Sequence, residues 1–516
     1  MERRELLKAT GLVGLTGLVG FGMYTSSQEG SGRDLPPQDE LKSGGPTASP
    51  TTTSSSTPDQ STEPEPTAET QTESEPTAET PTEEYPEWES FKTVVEAVAE
   101  GADPTGEQPV NFLFEEYADD DTLLAFAPGT YKIDYFSVSD LAEFGVVGIG
   151  DEPARFVPAA GNCRGGHPWI AFDGIEDLHL ENIAFDFRTV SRGGPMHLFL
   201  GGESVLRDVT CLGSCSNQIS MLKVEVRDER GSARFENLVS RNSDDNQSLT
   251  GVFVGENHAG DLLLENCTLE RFSDNGLYAS APGGEGGGDG SVRVVGGNYT
   301  NNNVSGVRLG TTGSSAENVT VVVDSEVPGW GGLNARGIRL RNKSGQVIDN
   351  CRITFGENAA DSFGGVVCHA ANAGALVKNT TITVDRASIP AIRTFPVEEA
   401  TEETLTIENC TIDGDAKSGV TARIEGRDGT VFRNCTVEQG GSDRTGLHFV
   451  DSSNCRVVDS RIDVTGAPVS VENGTVTVEN STIVTDNGNR YVGRTTLENE
   501  TLDLERFEPS LCSSKL

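Results

Sequence analysis

The chain has 516 residues, of which 60 are glycine, and its 80 acidic side chains against 39 basic ones give a formal net charge of -41 at pH 7. A charge of that sign repels phosphate backbones, which argues against nucleic acid as a partner. An aromatic content of 6% with so much glycine suits short strands and tight corners better than a helical core.

At the start of the chain, Arg3-Arg4-Glu5-Leu6-Leu7-Lys8 precedes a short glycine-rich apolar run from Gly11 to Met23. Residues 1–27 resemble a twin-arginine export signal, an address read by a receptor. With so acidic a chain behind it, the segment is similar to the signals of halophilic archaea. This implies a protein outside the cell or on its surface. No clear Ala-x-Ala site follows, so the signal is either cut or kept as an anchor, and a membrane is a partner only if it is kept. No other stretch is apolar for long enough to span a bilayer.

Residues 28–86 are rich in Ser, Thr, Pro and Glu, with Glu63-Pro64-Glu65-Pro66-Thr67-Ala68-Glu69-Thr70 partly echoed from Glu75 to Thr80. Such a composition cannot bury a core, and the segment is expected to be a disordered, self-repelling stalk, either bare or O-glycosylated.

Order is expected from residue 87. Ser90 can cap a short helix through Val94, Val95 and Val98, ended by Gly101-Ala102-Asp103-Pro104-Thr105-Gly106. A strand follows in Asp121-Thr122-Leu123-Leu124-Ala125-Phe126 and runs into Pro128-Gly129-Thr130-Tyr131. This succession resembles the N-terminal entry of the pectate-lyase-like right-handed parallel β-helix superfamily. The resemblance implies the fold and extracellular carbohydrate-related work. It does not fix a reaction, because the fold hosts lyases, hydrolases, epimerases and non-catalytic proteins.

From Asp173 onward the sequence repeats. Glu265-Asn266-Cys267-Thr268-Leu269 returns as Asp349-Asn350-Cys351-Arg352-Ile353, Lys378-Asn379-Thr380-Thr381-Ile382, Glu408-Asn409-Cys410-Thr411-Ile412, Arg433-Asn434-Cys435-Thr436-Val437 and Glu479-Asn480-Ser481-Thr482-Ile483. Spacings of roughly 20 to 32 positions fit one supersecondary unit per repeat, stacked on its neighbours. Apolar residues alternate within each repeat, as in Leu262 and Leu264, which is strand periodicity. The fold class is therefore all-β: a single-stranded right-handed parallel β-helix over 87–490, with a short N-terminal capping helix and the disordered stalk before it. One coil is read as the strands Asp261 to Glu265, Thr268 to Arg271 and Leu277 to Ser280. Residues 491–516 lose the repeat and are expected to cap the last coil.

The family's best-known catalytic phrases are missing. Trp169-Ile170-Ala171-Phe172 lacks the functional residues of the pectate-lyase phrase it comes nearest to, and there is no Gly-His-Gly of the polygalacturonases. Asp244-Asp245 resembles the paired aspartates of those hydrolases, and the pair is also the candidate metal site. Calcium would need several oxygen ligands, so no cofactor is fixed and calcium stays open as one.

Stacking the strands that begin with glycine gives a sharper signal. Gly251-Val252-Phe253, Gly276-Leu277-Tyr278, Gly306-Val307-Arg308, Gly337-Ile338-Arg339, Gly365-Val366-Val367, Ala391 to Arg393 and Gly446-Leu447-His448 share one pattern. Its second place is apolar and points inward, so its third points out, with neighbouring coils about 4.8 Å apart. Phe253, Tyr278, Arg308, Arg339, Val367 and Arg393 would then form an outer ladder. Two residues further along, the same face would carry Arg341, His369 and Arg423.

Arginine grips carboxylates in two places and tyrosine offers a flat face to a sugar ring, so this stripe suits an acidic polysaccharide or cell-surface glycan. In a lyase or epimerase, Arg308, Arg339 or Arg341 would neutralise a uronate carboxylate, and His369 or Tyr278 would move the proton. Phe253, Tyr278, Arg393, Arg423 and the corner residue Asp274 are the candidate binding residues. The alternative role of the arginines is surface ion pairing with acids such as Asp274 or Asp361.

Of the ten cysteines, Cys267, Cys351, Cys410 and Cys435 follow the corner Asn and should be buried core residues. Cys163, Cys211 and Cys215 fall outside that pattern and are the candidates for a disulfide bridge. The function expected is an exported monomer that binds, and in an enzymatic form cleaves or epimerises, an acidic polysaccharide. The alternative is a non-catalytic adhesion or structural module of the cell surface.

Overall fold

The computed structural model describes residue 88 and residues 90–159, 168–188, 196–214, 220–243, 249–325, 334–398 and 402–485, with strand backbone as far as 502. The export signal, the stalk, Cys163, Cys215, Asp244 and Asp245 lie outside these residues.

The described chain winds as a right-handed parallel β-helix, each coil made of three short strands that form three walls. One coil consists of Asp261–Glu265 on wall one, Thr268–Glu270 on wall two and Asn275–Ala279 on wall three. Each strand pairs in parallel with its counterpart in the next coil, at Ser291–Val295, Asn298–Thr300 and Ser305–Leu309. Walls one and two merge into one sheet because Asp177–Asp186 and Glu203–Gly213 run unbroken through the corner between them. Wall three is a separate sheet of 14 described strands.

Sequence accounts for the corners in two ways. Asn182, Asn266, Asn318, Asn350, Asn379, Asn409, Asn434 and Asn480 all take positive φ at the turn from wall one to wall two, a conformation that Asn tolerates better than most residues. Their side chains form a ladder: Asn434 Nδ2 donates to Asn409 Oδ1 at 2.7 Å, and Asn409 Nδ2 to Asn379 Oδ1 at 3.3 Å. The next residue turns inward and carries sulfur or a hydroxyl that donates to the carbonyl two residues back, as in Cys435 to Arg433 at 3.3 Å and Thr380 to Lys378 at 2.8 Å. At the corner leading into wall three, small residues are needed instead. A β-carbon on Gly337 would come 2.7 Å from Ile353, and one on Gly306 2.8 Å from Val321.

Inward residues stack into one continuous core. Leu262, Leu264, Leu269, Leu277 and Ala279 are almost wholly buried, as are Val292, Val294, Tyr299, Val307 and Leu309 one coil later. Removing so much apolar surface from water is the main stabilising term.

The N-terminal entry differs from expectation. Thr93–Glu96, read as helix, is a strand that pairs with Thr122–Phe126; its β-branched Val95 is buried in the first coil, and pairing outweighs local helix capping. The helix lies later, at Asn111–Tyr117 (α1), where Phe114 stacks on Phe136 with centroids 4.0 Å apart. In the turn between them, the Asp103 carboxylate accepts from the backbone of Thr105, Glu107 and Gln108. At the other end, pairing continues past residue 490: Thr495–Glu498 joins Val476–Glu479, and Thr501–Leu502 joins Thr482 and Ile483.

Candidate functional site

The outer ladder of wall three exists in the register read from sequence. Phe253 pairs with Tyr278, Tyr278 with Arg308, Arg308 with Arg339, Arg339 with Val367, and Val367 with Arg393. Arg423 is corrected by two residues along its strand: it lies in the row itself, pairs directly with Arg393 and precedes His448. Its coil has the larger Thr421 where the coil before has Ala391 and the coil after has Gly446, so the small-residue phrase that marks the row is missing there. Arg341 and His369 do stand two residues beyond the row, after Arg339 and Val367.

Below Phe253 the row continues for two more coils, through members that the glycine-led phrase does not mark. Lys223 pairs with Phe253, and His197 with Lys223. Neither strand begins with glycine, so the phrase that located the others is absent. Burial, helped by the Lys223 charge, lowers the His197 pKa to about 4. Lys223 and Arg227 flank the buried Glu225 at 3.1 and 3.0 Å, and the Arg227 guanidinium lies 3.9 Å from the centre of the Phe199 ring.

The centre of the row is a compact charged cluster. The Arg308 guanidinium sits 3.7 Å from the Tyr278 ring centre, and its nitrogens donate to the Tyr278 hydroxyl at 2.8 Å and to Ser280 Oγ at 2.6 Å. Phe253 meets Tyr278 edge to face at 5.1 Å. Half-buried Asp274 stands at the adjoining corner and accepts from Thr250 Oγ1 at 3.1 Å. Burial raises its pKa above the usual carboxylate value, against the opposing pull of Arg308, the Thr250 bond, Arg339 and Arg336. Arg308 and Arg339 are themselves buried, 7% and 2% exposed, so this charge acts at low effective dielectric.

A second cluster lies further up the wall. Arg336 enters at a β-bulge, where the register shifts beside Ala335, and its guanidinium lies 4.5 Å from the Phe363 ring centre. Arg393 faces Phe363 and Phe395 at 4.9 and 5.2 Å, and the His369 ring is 6.0 Å from Phe395. His369 is three coils above Tyr278, about 14 Å at one strand spacing per coil, so the two do not share one reaction centre. The buried Arg427 guanidinium props this region by donating to the carbonyls of Phe395 at 2.9 Å and His369 at 2.7 Å.

The ion-pairing role proposed for the arginines holds for Arg423, which pairs with Glu425 at 2.9 Å. Asp361 pairs instead with Arg386, off the stripe, at 3.5 Å. Among the described residues, no group of three or more His, Cys, Asp or Glu side chains is placed to hold a metal. Cys267, Cys351, Cys410 and Cys435 are buried free thiols in the core. Cys211, expected in a bridge, is also a buried free thiol; it sits inward on a wall-two rung beside Phe185 and Ser240, and burial raises its pKa to about 12. No helix among the described residues is long and apolar enough to cross a membrane.

Residues 287–483 match the family described as "Right handed beta helix region". No curated protein matches the sequence. Among solved structures, the protein is similar to the catalytic unit of a GH87 alpha-1,3-glucanase from Streptomyces thermodiastaticus, with a TM-score of 0.41 and 16% identity over 79% of this chain and 68% of that one. It is also similar to the surface protein and adhesin PfbA of Streptococcus pneumoniae, with a TM-score of 0.36 and 13% identity over 79% and 97% of the two chains. A third similarity is to the A-module of the Azotobacter vinelandii mannuronan C-5 epimerase AlgE4, with a TM-score of 0.31 and 10% identity over 79% and 97%. The protein is a right-handed parallel β-helix, the fold implied by the resemblance of its entry phrase to the pectate-lyase-like superfamily.

Proposed function

We propose that wall three binds an acidic polysaccharide, with Tyr278, Arg308 and Arg339 at the centre of the binding face. One observation carries this reading: in a chain of net charge -41, cationic and aromatic residues occupy the outer rungs of a single wall from Phe253 to Arg423, interrupted at Val367. Rungs about 4.8 Å apart place charge at intervals comparable to the sugar units of a linear polyuronate; the part-exposed Arg393 and Arg423 offer a carboxylate a forked pair of donors, while the buried Arg308 and Arg339 act through their field. Phe253, Tyr278, Arg393 and Arg423 are binding residues in this reading, with Asp274 set among the cations.

If the face is also catalytic, the reaction is proton abstraction beside a uronate carboxylate. Arg308 and Arg339 would stabilise the developing negative charge, and Tyr278 or Asp274 would exchange the proton. His369 and Arg341 would serve a sugar further along the chain. The twin-arginine-like start and the acidic stalk support a setting outside the cell, with the coils held away from the surface.

The test is chromatography of the full chain on immobilised polyuronate and on a neutral glucan at matched chain length. Retention on the polyuronate, released by salt, is expected. Equal retention on the neutral polymer, or none on either, overturns the reading. New unsaturated ends during incubation would make the protein a lyase, new reducing ends without them a hydrolase, and neither product a binding module.

A further inference from the structure

Wall two holds a second polar feature, away from the arginine stripe and independent of the glycan reading. A cavity of about 380 Å³ opens at its edge, lined by Asp413, Asp415, Glu438, Gln439 and Asp463 with two glycines. Ile412 pairs with Val437 and Glu438 with Asp463, so Asp413, Glu438 and Asp463 follow one another up the wall. Four carboxylates at one opening repel each other, and the cation paired with them is Arg461, 2.9 Å from Asp463 and 3.5 Å from Glu438.

Gln439 makes this more than a cluster of acids. It is 2% exposed, and its Nε2 donates to the Asp413 carbonyl, which fixes the orientation of the amide. Its Oε1 accepts no hydrogen bond, and neither does the buried Oδ1 of Asp413. Burying an acceptor without a donor is costly, and both of these residues line the same cavity. A cation would satisfy both.

We propose that this cavity binds a calcium ion through Asp413 Oδ1 and Gln439 Oε1, with Asp463 alongside and water completing the shell. The donors are all hard oxygens, which favours calcium over softer transition metals. The open, roomy cavity suits calcium's larger and more flexible shell better than the tight octahedron of magnesium. With so few protein ligands the site belongs to the weak class, with a dissociation constant of about 10⁻⁴ to 10⁻³ M.

Calcium chloride titrated into the full chain at constant ionic strength, followed by calorimetry, tests this. One bound ion is expected, with magnesium a poor competitor, and Asp413→Ala and Gln439→Met should each weaken binding at least fivefold. Unchanged affinity in both variants, or no calcium binding by the natural chain, overturns the proposal. If the variants fail to fold, anomalous scattering from calcium-soaked crystals of the natural chain decides. A peak beside Gln439 Oε1 supports the site, and calcium found only elsewhere, or nowhere, rejects it.

Discussion

The Arg308 guanidinium packs 3.7 Å from the centre of the Tyr278 ring and donates to its hydroxyl at 2.8 Å, across 30 residues of sequence. The contact arises because one coil places the two side chains on adjacent outer rungs. It combines a cation–π interaction with a charge-assisted hydrogen bond, and truncations at Tyr278 separate the two. Tyr278→Phe keeps the ring and should cost about 1 kcal/mol of stability. Tyr278→Leu removes both interactions and should cost about 2 to 3 kcal/mol. Urea unfolding of both variants checks this; equal losses would mean that the ring face contributes nothing.

Asp274 gives the binding face a pH dependence of predictable sign. Burial raises its pKa, so the folded protein takes up this proton at a higher pH than a free aspartate would. Below that pKa the carboxyl is neutral and its own negative charge no longer opposes the field of Arg308, Arg339 and Arg336. Polyuronate affinity should therefore rise as pH falls through the raised pKa of Asp274. In Asp274→Asn that rise should be absent. Calorimetric titrations at several pH values measure both effects.

His197 affects stability in the opposite direction. Its folded pKa is about 4, lowered from 6.5 by burial and by Lys223. Above pH 6.5 both folded and unfolded states are neutral and the group contributes nothing. As pH falls from 6.5 to 4 the unfolded state binds a proton that the folded state refuses, and stability drops by up to about 3 kcal/mol. His197→Gln should remove that part of the acid sensitivity, measured as the pH dependence of the thermal midpoint.

The asparagine ladder can be divided into backbone and side-chain contributions at Asn409. This residue has φ of 54° and hydrogen-bonds both Asn379 and Asn434. Asn409→Ala loses the ladder bonds and strains the backbone, for a total of about 2 to 3 kcal/mol. Asn409→Gly loses only the bonds and should recover about 1 kcal/mol. Identical thermal midpoints for the two variants would contradict this division.

The coils and the stripe were legible in sequence because both rest on strict local requirements. A corner with positive φ calls for Asn, and the approach of wall two to wall three calls for glycine, so aligning on those residues gave the rungs from Phe253 to Arg393 correctly. Ala391 still fits that corner, but larger residues conceal the phrase: Thr421 shifted Arg423 by two residues along its strand, and the absence of a leading glycine hid Lys223 and His197. Arg336 enters through a bulge, which no fixed repeat can anticipate. At the entry, Ser90 and the valines carried a helix signal, but the buried Val95 belongs to a strand whose partner, Thr122–Phe126, lies more than twenty residues away. The cavity beside Gln439 depends on an amide oxygen left without a donor, and side-chain pairing of that kind has no sequence period.

The central claim is that position on wall three, rather than positive charge as such, makes an arginine bind glycan. The direct test is calorimetric titration of a uronate oligomer into Arg423→Gln, on the stripe, and Arg352→Gln, an exposed wall-two residue. Both changes remove one positive charge. Affinity should fall at least fivefold for Arg423→Gln and stay within twofold of the natural chain for Arg352→Gln. Equal losses in the two variants, or no loss at Arg423, would contradict the account.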